Sequence, residues 1–258
     1  MREPDALDSA RVLALALVAI GGAMLLVRAG VPAIVVGPFQ QIAFFAIPLL
    51  YARKAGLRPL AANGFARIPL RTVAFVLLAS LGSFWLLNGL THLQTRAIRQ
   101  AGYEEKARTE EQHIKEGIEE AQKQGAAPAL ALLVLIPPFC EETFFRGILY
   151  RGLLARFGVG VALGLTSLLF AFLHQTLVQT VLMTFLGCYF GLLVYFTGSL
   201  WSSILAHGLN NLAVLTLMWI YKGKLPEFTA PWWMYALSAV VFGSGMTLLA
   251  LDRKPAKA

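Results

Sequence analysis

Between Arg156 and Lys222 lie 65 consecutive residues without a single Asp, Glu, Lys or Arg. No water-facing surface can be built from such a stretch. About 20 apolar residues cross a bilayer once, so the run has room for roughly three crossings. Three shorter runs repeat the pattern, with 24 uncharged residues between Arg28 and Arg53, between Arg71 and Arg96, and between Glu227 and Asp252. The 258 residues are 57% hydrophobic and only 14% charged, against roughly 25% charged in an average globular domain. That excludes an ordinary soluble enzyme, and the weight of Leu, Val, Phe and Ala excludes disorder. The runs also lack the alternation of a membrane β-barrel. The expected fold class is all-α: a polytopic transmembrane helical bundle of about eight membrane-spanning helices. The spans are placed near residues 11–28, 31–51, 72–90, 128–148, 158–175, 177–197, 200–220 and 231–251.

The net charge of +8 fits the same picture. The basic residues cluster at the ends of apolar runs, where membrane orientation and anionic headgroups place them. Membrane lipids are the expected partners of these charges, and nucleic acid is not required. Cys140 and Cys188 both lie inside apolar runs and imply no disulfide framework. Arg2 stands among Glu3, Asp5 and Asp8, and the first apolar run is followed at once by a second. The N-terminus therefore reads as an uncleaved span rather than a signal peptide.

The whole chain, 1–258, reads as a single integral-membrane domain with a polar helical insertion at about 92–124 and a motif-bearing core at about 128–220. The insertion holds six basic and seven acidic residues. Glu104/Arg108, Glu111/Lys115 and Glu119/Lys123 are each four apart with the acid first, the favourable order on a helix. A solvated spacer helix is the plain reading, and a substrate gate or partner site is the alternative. Arg53, Lys54, Arg58, Arg67 and Arg71 mark the loop after the second span as cytoplasmic, and Arg151, Arg156, Arg253, Lys254 and Lys257 agree. Eight spans then put both termini inside and 92–124 outside.

Few ionisable side chains remain within the apolar runs: Glu141, Glu142, Arg146, His174 and His207, with Asn211 as a polar neighbour. A charge at the bilayer centre costs from a few to about 10 kcal/mol, so such residues pair, face an internal cavity or do chemistry. Glu142 and Arg146, four apart, can pair on one helical face. Glu141 points about 100° away from Glu142 and is freer to act. Pro137-Pro138 just before them restarts or kinks the helix and leaves backbone groups unpaired nearby. A buried Glu–Arg bridge is the structural alternative for this group. His174, at the end of Phe170-Ala171-Phe172-Leu173-His174, taken alone is more readily a packing residue than a catalyst. His207 and Asn211 share one helical face and can donate to a single oxygen, or act as an interhelical clasp. Gly160-x-x-x-Gly164 and Gly187-x-x-x-Gly191 are expected to mark close helix packing. Together the polar residues supply what water-mediated acyl transfer needs. Glu141 and His174 can act as base for water, and His207 and Asn211 as donors to an oxyanion. No G-x-S-x-G nucleophile is present.

Glu141-Glu142-x-x-x-Arg146, Phe170-x-x-x-His174 and His207-x-x-x-Asn211 resemble, in order, the three motifs of the CPBP intramembrane proteases. These are the CAAX proteases and bacteriocin-processing enzymes, also called the Abi family. The resemblance implies a helical-bundle glutamate-type endopeptidase that acts on membrane-associated protein or peptide substrates, with CAAX-type or leader and sorting-tail processing as the reaction class. It implies Glu141 as general base, His174 as its helper, and His207 and Asn211 as the oxyanion hole, with Glu142, Arg146 and Phe170 in support. No cofactor is expected. Two histidines and a glutamate have the ligand chemistry for zinc, which is the lesser alternative, since no His-Glu-x-x-His pair occurs. A multi-pass protein of the bacterial inner membrane is the expected setting, and the sequence leaves oligomeric state open. A non-catalytic membrane scaffold or immunity-type protein, with the same polar residues used structurally, is the competing reading. A proton-coupled transporter ranks below it, because paired repeats of broken helices are not visible. One conflict is internal to the span placement. At about 1.5 Å per residue, His174 falls near the far end of its span, whereas His207 falls about 10 Å from the cytoplasmic end of its own.

Overall fold

A computed structural model describes residues 3–31, 33–174, 176–221 and 230–253. Lys254 and Lys257, part of the orientation argument, lie outside the described residues, as do Lys222 and Glu227. The chain runs through α1 (Ala6–Arg28), α2 (Ala33–Lys54), α3 (Pro59–Ala62), α4 (Leu70–Gln100), α5 (Glu104–Lys123) and α6 (Ala126–Ala129). It continues through a π-helical stretch Leu130–Leu135, α7 (Ile136–Phe144), a second π-helical stretch Phe145–Leu149 and α8 (Tyr150–Leu173). A 3-10 turn Leu177–Gln179 leads to α9 (Thr180–Thr197), α10 (Leu200–Ile220) and α11 (Trp232–Asp252). No strand occurs among the described residues, so the fold is all-helical.

Six helices among the described residues are long and apolar enough to cross a membrane. The longest, Ala126–Leu173, has 48 residues and would extend about 72 Å if straight, more than twice the roughly 30 Å hydrocarbon core. It does not run straight. Gly158 takes φ 77° and ψ 175°, a left-handed conformation suited to glycine, and the chain turns back there. Phe145 and Phe170, 25 residues apart, stack edge-on at 5.1 Å where a straight helix would separate them by about 37 Å. The two legs occupy the fourth and fifth expected spans, and α2 overlies the second.

Polarity is distributed as lipid requires. Val18, Leu81, Phe172 and Leu251 are among the large apolar residues exposed on the outside, while Glu142, Thr143, Arg146, Ser202 and Ser203 are wholly buried. Small residues let backbones approach, the usual device of helix contact in membranes. A Cβ on Gly82 would collide with the backbone of Phe242 in α11, and one on Gly245 would meet Ala79 in α4. Gly187 and Gly191 of α9 sit against Ser167 and Leu163 of α8. Gly160 and Gly164 depart from expectation: nothing lies within 4 Å of where their Cβ atoms would be.

The polar insertion forms α5, preceded by a long extension of α4. Glu104 and Arg108 pair at 2.7 Å. The other two expected pairs are replaced, because α5 packs on α4. Glu111 reaches across to Arg99 at 3.8 Å, Lys115 turns to Glu119 at 3.5 Å, and Lys123 takes Glu120 at 3.2 Å.

Candidate active site

The site is organised around two interruptions of one helix. Proline lacks an N–H, so Pro137 and Pro138 at the start of α7 leave carbonyls in the preceding turn without their helical donors. One of them, the Leu133 carbonyl, accepts a hydrogen bond from Asn211 Nδ2 of α10 at 2.9 Å. The second interruption follows the glutamates, where Gly147 departs from helical geometry with ψ −127°. Here Asn63 Oδ1 accepts from the Ile148 N–H at 3.3 Å. Ser9 Oγ lies 3.1 and 2.9 Å from the carbonyls of Ile148 and Leu149. Backbone groups stranded in a low-dielectric interior are costly unless paired, and these three side chains pair them. The short segment α7 is thereby fixed at both ends.

On α7, Glu142 points inward with no solvent exposure. Its Oε1 accepts from Arg146 Nη1 at 3.1 Å and from His207 Nδ1 at 3.0 Å. Arg146, equally buried, donates its other terminal nitrogen to the Gly187 carbonyl at 3.0 Å. The guanidinium lies 4.6 Å from the centre of the Phe170 ring, with Phe145 and Phe190 also facing it at 5.5 and 5.7 Å. Phe190 stacks on His207 at 4.8 Å. A buried charge pair therefore sits inside an aromatic cage, where cation–π attraction is stronger than at a surface.

Glu141 faces elsewhere. It lines a cavity of about 210 Å³ with Pro137, Phe170, His174, His207, Asn210 and Asn211 among its walls. Among the described residues, its Oε1 accepts one hydrogen bond, from Gln41 Nε2 of α2 at 2.9 Å, and Oε2 has no partner. His174 caps the C-terminus of α8, with Nδ1 2.8 Å from the Phe170 carbonyl. A carbonyl can only accept, so Nδ1 carries the hydrogen and Nε2 is left as a lone-pair acceptor. The same logic at His207 makes Nδ1–H the donor to Glu142 and leaves Nε2 as the unengaged ring nitrogen. A smaller cavity of about 120 Å³ lies on the other side of Glu141 and His174, against Gln40, Phe44, Phe145 and Leu173.

The structure thus gathers Glu141, His174, His207 and Asn211 around one cavity, with Glu142, Arg146 and Phe170 packed behind them. The conflict in depth has a geometric answer. Glu141 stands 17 residues before Gly158 and His174 stands 16 after it, so the hairpin brings them level. The break at Gly147 then sets α7 against α10, within reach of His207. Besides the supports Asn63 and Ser9, two residues escaped the sequence reading. Asn210 lies three positions after His207 and shares its face, which helical periodicity could have found. Gln41 had a fainter signal, a Gln pair inside an uncharged run. Among the described residues no group of three or more His, Cys, Asp and Glu side chains is arranged to hold a metal ion.

No curated protein and no solved structure matches this chain. Residues 123–213, which contain Glu141, His174, His207 and Asn211, do match the model of a family of proteases. That family is described as type II CAAX prenyl endopeptidase Rce1-like, and it is what this segment of the chain is similar to.

Proposed function

We propose that this protein is an intramembrane endopeptidase that hydrolyses peptide bonds of membrane-associated substrates with water activated by Glu141. The observation that carries the reading is the cavity in which a carboxylate oxygen, without a partner among the described residues, shares the walls with two imidazoles and two side-chain amides. Oε2 of Glu141 takes a proton from water while Nε2 of His174 accepts the water's other hydrogen and orients it. The water oxygen bonds to the scissile carbonyl carbon, and the carbonyl π pair moves onto its oxygen. Asn211, with one amide hydrogen still unengaged, donates to that oxyanion. His207, held through Nδ1 by Glu142, turns Nε2 toward the same oxygen. Collapse of the intermediate breaks the C–N bond, and the amine departs with the proton parked on Glu141. No cofactor takes part.

The family match supports a CAAX-type substrate, and a leader or sorting tail presents the same chemistry, an extended peptide next to a membrane anchor. The setting we infer is a bacterial inner membrane. Positioned general bases contribute about 10²- to 10⁴-fold, so Glu141→Gln is expected to lower cleavage at least that much while the protein accumulates normally. The measurement compares protein termini in membranes from cells expressing the native chain or the variant at matched levels. Termini that vanish in the variant name the substrates. Unchanged termini, with full function of the variant, would return the polar residues to a scaffold role.

A further inference from the structure

Gln41 is remote from everything the motifs describe. It lies on α2, 100 residues before Glu141 and outside the segment 123–213 that matches the family. Nevertheless its Nε2 makes the one hydrogen bond that Glu141 accepts among the described residues. The amide cannot be turned the other way, because its oxygen would then face a carboxylate oxygen. In the orientation present, Gln41 Oε1 is buried and without a partner among the described residues. An unpaired buried acceptor is unfavourable, so filling space does not account for a glutamine here; leucine or methionine would fill it without that cost. Repair of α2 does not account for it either. Pro38 lies inside α2, and polar side chains often satisfy the backbone groups that such a proline frees. The Gln41 amide points away from its own helix to Glu141.

We propose that Gln41 is a positioning residue for the hydrolytic reaction. By engaging Oε1, it fixes the rotamer of Glu141 and leaves Oε2 as the only oxygen open to water. Without that bond the carboxylate is free to turn about its terminal torsion, which is soft and roughly two-fold. It can then swing between the larger cavity and the smaller one, both of which it borders. The inference rests on Glu141 as the base, and the two claims fail separately. Retained activity in Glu141→Gln sinks the base; retained activity in Gln41→Met sinks only the positioning role.

Methionine matches glutamine in length, is at home in a lipid-facing helix and has no donor. A hydrogen bond to a charged group is of the size that makes Gln41→Met expected to lower kcat by about 10- to 100-fold. KM should stay within about two-fold, since the group acts on the base and not on substrate binding. Kinetics are measured on purified, monodisperse full-length protein with a membrane-anchored peptide. The melting temperature of the same sample and substrate binding in the Glu141→Gln background accompany them. A merely structural role would move the melting temperature or the binding, and would leave kcat per folded molecule intact. If Gln41→Met does not accumulate, Gln41→Leu carries the test, because it is likewise apolar, close in volume and has no donor. A fall in kcat alone supports the proposal. Native kcat in either variant overturns it, and so does a loss confined to stability or binding.

Discussion

Arg146 is a guanidinium with no access to solvent, surrounded by three phenyl rings, one carboxylate and one backbone carbonyl. Removing one member of such a buried pair leaves the other charged and uncompensated, which costs about 3–5 kcal/mol, whereas exchanging both for apolar groups is often close to neutral. Arg146→Met is therefore expected to lower unfolding stability in detergent by about that amount. The double variant Arg146→Met, Glu142→Leu should recover much of the loss in stability without recovering cleavage. Thermal unfolding and peptide hydrolysis on the same samples separate the two effects. A double variant no more stable than the single one would mean that the aromatic cage, rather than the ion pair, requires the arginine.

At the scale of helices, close approach is dictated by the partner surface and only loosely by spacing within one strand of sequence. Gly82 and Gly245 belong to no four-residue glycine pair, yet they bring α4 and α11 into backbone contact. Gly160 and Gly164 have the spacing and face open space. Gly82→Ala should destabilise by about 1–3 kcal/mol through overpacking, while Gly160→Ala should be neutral or slightly stabilising; unfolding midpoints of the two variants check the contrast. The same reasoning explains what could be read in advance. Runs of uncharged residues place the spans because each helix meets lipid along most of its length. Three motifs identify the polar residues because lipid tolerates so few of them. Gln41 and the supports Asn63 and Ser9 stayed hidden, since each acts on a chain segment more than 80 residues away. The partners of Glu111 and Lys115 were missed because α4 supplies a competing arginine.

Across the whole molecule the charges separate by end. One end gathers Arg71 with Asp252 at 2.6 Å, Arg151 on the Gly198 carbonyl at 2.6 Å, and the Leu200 N–H on the Gly64 carbonyl at 2.8 Å. Arg253 lies over the Tyr195 ring on the same side. The other end carries α5, tied to the turn after His174 by Glu110, which accepts from the Val178 N–H at 3.0 Å. Positive charge on short loops favours the cytoplasmic side, so the first end is expected to face the cytoplasm. With Cys140 and Cys188 replaced by alanine, Arg67→Cys should react with an impermeant maleimide only when the cytoplasmic face is open. Lys115→Cys should react from the opposite face. Labelling of both from one side would contradict this orientation.

The hairpin at Gly158 has a consequence for how this chain can change length. Glu141 and His174 border the same cavities because two arms of nearly equal length fold against each other. One residue added to either arm moves its end by about 1.5 Å and swings it through about 100°. Four residues restore the facing direction but leave an offset of about 6 Å. Insertions that a surface loop absorbs without notice would here separate Glu141 from His174 while both side chains remained in the sequence. The arms behave as a matched pair of rulers, and the make-up of the cavity depends on their difference.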